Sequence, residues 1–168
     1  MYEPREDSFL MLKHIKSYAK GHVLDMGTGS GILAEEAGRY ADNVVAADID
    51  GKIIDGLKKR NSNNITFVNS DLFSNVRGKF NLIMFNPPYL PSRKIKHADL
   101  DGGKNGTQII AKFLEQAKKY LKKDGKILIL TSSLNKNIET LFKRYKYHFR
   151  KIDEERLFFE KLHVYVLF

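Results

Sequence analysis

The quartet "NPPY" (Asn86, Pro87, Pro88 and Tyr89) directly follows the apolar run "FNLIMF" (80–85). Proline has no N–H and fixes its own φ, and the residue before each proline is pushed to extended geometry. The chain therefore leaves a buried strand as a stiff turn. A planar NH2 group of a carboxamide or a base could donate its two hydrogens to Asn86 Oδ1 and the Pro87 carbonyl, with the Tyr89 ring stacked on it. Such a site would work mainly by positioning the nitrogen; the structural alternative is a rigid loop around a buried tyrosine.

A glycine cluster, Gly27, Gly29 and Gly31, lies between a predicted strand and a predicted helix in "VLDMGTGSG". Ile32 stands where a dinucleotide fingerprint has its third glycine, so the match to a pyrophosphate site is poor. Asp25, one residue inside the strand end, would repel phosphate but could hold a cationic ammonium group. A glycine loop can also serve only as a turn.

Two further carboxylates lie at the ends of the next two strands: Asp48 is the last residue of one, and Asp71 comes just after the other. Asp48 lies about 20 residues beyond the glycine loop, where an acidic residue accepts both hydroxyls of a ribose. Its alternative role is to cap the next helix, which Asp50 could fill equally well. Asp71 could accept from an adenine amino group while Leu72 covers the ring, or it could be a turn residue. A ligand with a ribose, an adenine and an ammonium group, bound by a loop that lacks a phosphate-binding motif, is best matched by S-adenosylmethionine.

Helices and strands alternate along the chain. Hydrophobic periodicity predicts helices over 7–18, 31–40, 51–61, 107–122 and 135–145, and strands over 22–26, 43–48, 65–69, 80–85, 126–130, 147–152 and 159–168. This order predicts one α/β domain over residues 1–168 with a doubly wound, Rossmann-like, seven-stranded sheet that is mostly parallel. The last two strands, joined by "DEER" (153–156), should form a C-terminal antiparallel hairpin at one edge.

The polar and glycine-rich segments described above begin after residues 26, 48, 69 and 85, where four predicted strands end. In such sheets, ligands bind at the carboxyl ends of the strands. The segment from the proline turn to about Gly106 is long and polar for a compact domain, which indicates a functional loop and raises the question of a lid.

Composition narrows the class of protein. The 168 residues include no Cys, and no segment resembles a signal peptide or reaches the ~20 apolar residues of a membrane span, so we expect a cytoplasmic protein that does not act at a membrane. The five histidines show no metal-ligand spacing, so we expect no metal. The net charge of +9 fits either proximity to RNA or the ribosome, or solubilising lysine-rich helix faces.

The "NPPY" quartet in this position resembles methyltransferases that act on glutamine amides and adenine exocyclic amines. The segments "YEPREDSFLML" (2–12) and "GGKNGTQIIAKFL" (102–114) resemble the HemK-like glutamine methyltransferases of archaea and eukaryotes, and the resemblance continues through "ERLFFEKLHVYV" (155–166). That branch modifies the glutamine of the GGQ loop in class I translation release factors. The resemblance implies a class I methyltransferase fold that uses S-adenosylmethionine.

The resemblance also implies roles for individual residues. Asn86 matches the catalytic asparagine and also contacts the cofactor, and the glutamine slot is lined by Pro87, Pro88 and Tyr89. Ser8 matches a hydroxyl residue near the methionine part of the cofactor, where threonine is common in the family. The other implied cofactor contacts are Asp25, Gly27, Gly29, Asp48, Asp71 and Leu72, with Asp25 standing where glutamate is common.

The same branch often works with a small zinc-binding activator subunit that extends the sheet edge beside the cofactor site. In the predicted topology "ITFVN" (Ile65–Asn69) is that edge strand. Ile65 and Phe67 share one face of it, which either invites a partner strand or is covered by helices.

Other functions use the same features. A nucleic-acid adenine methyltransferase would share the quartet but must flip out a base, usually with a target-recognition region, and only residues 90–106 are spare for that purpose. A non-catalytic module that binds RNA or a release factor could retain the fold, although the intact set of Asp25, Asp48, Asp71 and Asn86 argues against it. Protein lysine methylation is a further alternative, suggested by some relatives of this branch, but a charged, flexible amine fits a planar slot less well.

Overall fold

The computed structural model describes residues 6–60, 62–88 and 106–168. Its helices are α1 (Glu6–Tyr18), α2 (Ile32–Gly38), α3 (Gly51–Leu57), α4 (Gln108–Ala117) and α5 (Ile138–Arg144). Its strands are β1 (His22–Met26), β2 (Asn43–Asp48), β3 (Ile65–Asn69), β4 (Phe80–Phe85), β5 (Leu121–Ser132), β6 (Phe149–Arg156) and β7 (Lys161–Leu167). Tyr89 and most of the segment 90–106 lie outside the described residues, as do parts of the segments 2–12 and 102–114.

The seven strands form one sheet in the order β3-β2-β1-β4-β5-β7-β6. Among β1 to β5, neighbouring strands are parallel to each other, whereas β7 is antiparallel to β5 and β6 is antiparallel to β7. The predicted fold class is therefore confirmed, including the C-terminal hairpin and the edge position of β3. The strand order reverses at β1, and in open α/β sheets the crevice at that switch point is where ligands bind.

Helices cover both faces of the sheet, and each face has its own apolar core. On one face the residues of α1 and α2 pack on the side chains of β1, β2, β4, β5 and β7. On the other face α4 and α5 pack on the same sheet, around a stack in which the Phe113 ring lies 4.3 Å from Phe85 and 5.4 Å from Phe73. Ile65 and Phe67 of the edge strand are half-buried and pack against the α1–α2 core.

Several predicted boundaries are wrong: α3 ends at Leu57 and not at residue 61, for example, and β5 begins at Leu121 and not at residue 126. The helix expected to reach residue 122 ends at Ala117, and Leu121 instead pairs with Phe80 at the start of β5. The segment 153–156, predicted to be the turn of the hairpin, belongs to β6. Its acidic side chains form ion pairs across an exposed edge strand, for example between Glu154 and Lys161 at 3.1 Å, and charges of this kind are common on sheet edges.

Along the described residues, no helix is long and apolar enough to cross a membrane.

Candidate active site

Buried polar atoms without hydrogen-bond partners mark the carboxyl ends of the central strands. Among the described residues these atoms are Asp25 Oδ1, Asn86 Oδ1 and Thr131 Oγ1. They lie at the ends of β1, β4 and β5, which are neighbours in the sheet. Buried polar groups in native proteins are nearly always satisfied, so each such atom needs an explanation. A ligand that binds at this edge would supply one.

The strand register shows which face of the sheet each of these three residues lies on. Asp25 is aligned with Met84, and Met84 with Leu128. Because alternate residues of a strand share a face, Asp25 and Asn86 both lie on the face covered by α1 and α2. Thr131 lies on the opposite face. The carboxylate and the amide that the sequence singled out are therefore on the same side of two adjacent strands.

The Asp25 carboxyl is held in a low-dielectric environment. It is 1% exposed, and its Oδ2 accepts a hydrogen bond from Thr28 Oγ1 at 2.6 Å. Burial raises the pKa of Asp25 from 3.8 to about 7, the Thr28 hydrogen bond opposes the rise, and the nearby charge of Asp48 adds to it. A buried carboxylate with one unsatisfied oxygen is suited to a cationic partner, because the partner's charge would favour the ionised form.

The glycine loop folds over the end of β1 and ties it to Asp48. Gly27 and Gly29 have φ values of +66° and +52°, a conformation that residues with a Cβ rarely adopt. The Gly29 N–H donates to Asp48 Oδ2 at 2.9 Å, and the Asp50 N–H donates to Asp48 Oδ1 at 2.9 Å. These two bonds fix the Asp48 carboxylate, and each oxygen keeps a lone pair that could accept a ribose hydroxyl.

Asp50, not Asp48, caps the following helix. Its side chain accepts from the Lys52 N–H at 2.8 Å at the start of α3. The sequence left open which of the two residues caps this helix, and in the structure the cap is Asp50.

The segment after β3 is organised by hydrogen bonds of Asn69 and Ser70. Asn69 Nδ2 donates to the carbonyls of Asp48 and Ile49, which joins the ends of β3 and β2. Ser70 Oγ donates to the Leu72 carbonyl at 2.7 Å, where Leu72 has a φ of +46°. Asp71 is exposed, and Leu72 is half-buried against the core. An exposed carboxylate beside an apolar side chain suits a heterocycle with an exocyclic amine.

Asn86 directly follows β4, and only the NH2 group of its side-chain amide has a hydrogen-bond partner among the described residues. Its Nδ2 donates to Asp7 Oδ2 in α1 at 3.2 Å, whereas its Oδ1 is buried and accepts no hydrogen bond from the residues that the structure describes. Pro87 is buried and Pro88 is half-buried. Tyr89 lies outside the described residues, so its predicted stacking role stays a prediction.

Ser8 lies next to this contact, in the first turn of α1. It is 3% exposed, and its N–H donates to Asp7 Oδ1 at 2.6 Å. The structure thus brings Ser8, Asp25 and Asn86 to the same face of the sheet.

Sequence reasoning missed Asp7 and Asn69. The only signal for Asp7 is an acidic residue at a helix start, which the helix dipole already explains, and Asn69 looks like an ordinary strand end. Among the residues that the structure describes, no group of three or more metal-ligating side chains comes together.

These side chains fit S-adenosylmethionine. The unsatisfied Asp25 Oδ1 is suited to the ammonium group, the fixed Asp48 carboxylate to the ribose, and Asp71 with Leu72 to the adenine.

Similarity to known proteins identifies the family of this chain. The methyltransferase small domain family model matches residues 6–158. A Methanocaldococcus jannaschii protein, provisionally named a protein N5-glutamine methyltransferase, is 41% identical over 153 residues, which cover 85% of this chain and 78% of that protein. The release factor glutamine methyltransferase of Buchnera aphidicola subsp. Acyrthosiphon pisum is 31% identical over 166 residues. That alignment covers 86% of this chain and 60% of the Buchnera protein, so this chain spans less than two thirds of it.

A solved structure has the same fold. It is the E. cuniculi Mtq2–Trm112 complex, described as responsible for the methylation of the eRF1 translation termination factor. One of its chains superposes with a TM-score of 0.81 at 21% identity, covering 99% of this chain and 96% of that one.

Proposed function

The chain belongs to the methyltransferase small domain family of S-adenosylmethionine-dependent enzymes, and we propose that its acceptor is the side-chain amide nitrogen of a protein glutamine. The observation that carries this proposal is the buried Asn86 Oδ1 at the end of β4, an acceptor to which none of the described residues donates. A primary amide presents two N–H donors on a planar group. One of them would satisfy Asn86 Oδ1, and the second would reach the Pro87 carbonyl.

These residues could promote methyl transfer mainly by positioning the substrate amide nitrogen. When bound, S-adenosylmethionine supplies a methyl group whose carbon–sulfur bond breaks as the new carbon–nitrogen bond forms. Asn86 Oδ1 would hold the attacking nitrogen in line with that bond. The nitrogen becomes positively charged until one of its protons passes to solvent water, and a fixed carbonyl dipole would stabilise that charge without having to reorganise.

We further propose that the glutamine is that of the GGQ motif of a class I release factor. The support is the sequence resemblance together with the name of the Buchnera relative, a release factor glutamine methyltransferase. The test is transfer of label from S-adenosylmethionine to a class I release factor, with the modified residue located by mass spectrometry. A release factor whose GGQ glutamine is replaced by alanine is the matched control.

The outcomes of that test are distinct. Label on the GGQ glutamine of the intact factor, and none on the alanine control, is the expected result. Equal labelling of both factors would contradict GGQ specificity, and label on single-stranded or duplex nucleic acid in place of protein would favour the adenine alternative.

The edge strand β3 is our proposed docking site for a small zinc-binding activator subunit. In the described structure β3 pairs with β2 on one side, and the other side forms the sheet edge. The E. cuniculi structure is a complex of two proteins, Mtq2 and Trm112, which supports a partner for this chain as well.

Hydrogen exchange tests this partner directly. Adding the activator should slow exchange of the backbone amides in β3, because a partner strand would pair with its outer side. The opposite edge strand, β6, is the internal control and should not change. Protection of β6 instead of β3 would contradict the proposed docking site.

A further inference from the structure

Asp7 contacts the amide of Asn86 from a different element of the fold. It lies in the first turn of α1, is 5% exposed, and accepts from Asn86 Nδ2 through Oδ2. Its other oxygen accepts from the Ser8 N–H at 2.6 Å. The carboxylate is therefore held by its own helix while it binds the strand-end amide.

This contact determines which way the Asn86 amide points. The carbonyl and the NH2 group of an asparagine have nearly the same shape, and rotation of the amide plane exchanges them. An ionised carboxylate is only an acceptor, so it attracts the NH2 group and repels the carbonyl oxygen. With Asp7 on one side, Oδ1 must occupy the other side, where it is buried and receives no hydrogen bond from the described part of the chain.

We propose that Asp7 is a positioning residue for methyl transfer, because it holds the Asn86 amide with Oδ1 toward the substrate nitrogen. This inference rests on the proposed function. In a protein without Asp7, the amide could turn its NH2 group toward the substrate and meet another NH2 donor there. The Asp7 charge also polarises the amide, which makes Oδ1 a stronger acceptor for a nitrogen that becomes positive.

Kinetics of three variants test the positioning role. Asp7→Ala should lower kcat by about 10- to 100-fold, with the Kd for S-adenosylmethionine within about twofold of wild type. Asp7→Asn can still accept through its own carbonyl oxygen, but it can also present its NH2 group, so its kcat should be intermediate. Glu6→Gln is the matched control, because Glu6 is exposed in the same helical turn, and it should have wild-type kcat.

A double-mutant cycle separates this role from a general structural one. If Asp7 acts through Asn86, Asp7→Ala should cause no further loss of kcat in an Asn86→Ala background. A loss of the same factor in both backgrounds, or wild-type kcat for Asp7→Ala, would overturn the inference.

Side-chain amide NMR gives a measurement that does not depend on turnover. The NH2 resonances of Asn86 are those missing from the spectrum of Asn86→Ala. Asp7→Ala should shift them while the rest of the spectrum keeps its folded dispersion, and Glu6→Gln should leave them in place; unchanged resonances in Asp7→Ala would overturn the inference. If the wild-type enzyme methylates no glutamine, the proposed function fails, and these resonances then decide the role of Asp7 alone.

Discussion

Replacing Asp25 by asparagine should stabilise the protein without its cofactor and weaken its affinity for S-adenosylmethionine. Burial raises the pKa of the Asp25 carboxyl from 3.8 to about 7, so at about pH 8 folding places a charge in the protein interior. At about 1.36 kcal/mol per pKa unit, this placement costs about 4 kcal/mol. Asparagine removes the charge and can still accept the hydrogen bond of Thr28 Oγ1.

The pH dependence of this effect has a definite sign. The folded-state pKa of Asp25 lies above its unfolded-state value, so the penalty is absent below about pH 4 and complete above about pH 7. The gain in free energy of unfolding for Asp25→Asn, measured by denaturant titration, should be about 2 to 3 kcal/mol larger at about pH 8 than at about pH 5. A gain that does not vary with pH would refute the reasoning.

Binding of S-adenosylmethionine should require the ionised form of Asp25, although that form destabilises the protein without its cofactor. An ammonium group prefers ionised Asp25, and the ionised fraction falls about tenfold per pH unit below about 7. Calorimetry should therefore find that the wild-type affinity weakens by about that factor between about pH 6 and about pH 5 and that a proton is released on binding. Asp25→Asn should bind weakly without this pH dependence, and wild-type affinity in that variant would contradict the ammonium assignment.

Two matched pairs of substitutions test the supporting geometry. Asp50→Ala should lower the free energy of unfolding by about 1 kcal/mol through loss of the α3 cap and leave cofactor affinity unchanged, whereas Asp48→Ala should abolish binding. Calorimetry that finds lost affinity in Asp50→Ala would contradict these roles. Gly31→Ala should destabilise by about 1 to 3 kcal/mol, because φ is +84° and the Cβ would lie 2.9 Å from a side chain of α3. Gly56→Ala, whose Cβ would meet nothing within 4 Å, should be neutral or slightly stabilising in the same denaturant titrations, and equal losses in both variants would contradict the account.

The strands that form the site could be predicted from sequence because each is a short apolar run that ends in glycine or a polar residue. The predicted bounds of β1 to β4 agree with the structure. The hairpin could not be bounded in the same way. Asp153 and its acidic neighbours look like a turn, but on an exposed edge strand charged side chains remain solvated and pair with neighbours such as His14.

That the strand-end residues of the site lie near one another was also predictable from the sequence, whereas the hydrogen bonds between them and other elements were not. Asp25, Asp48 and Asn86 end parallel strands of one sheet, so their approach follows from topology alone. The contact between Asp7 and Asn86 joins residues 79 positions apart and depends on how α1 packs on the sheet. No local pattern encodes that packing, and a carboxylate at a helix start has an ordinary explanation without it.

The most direct test of the central claim is the single-turnover rate of methyl transfer to a GGQ-containing release factor by wild type and by Asn86→Ala, with the Kd for S-adenosylmethionine measured in parallel. We expect Asn86→Ala to lower the rate by at least about 100-fold, since the acceptor that fixes the nitrogen is lost, while the Kd stays within about threefold. An Asn86→Ala variant that transfers methyl at the wild-type rate would contradict the claim that Asn86 Oδ1 positions the substrate amide.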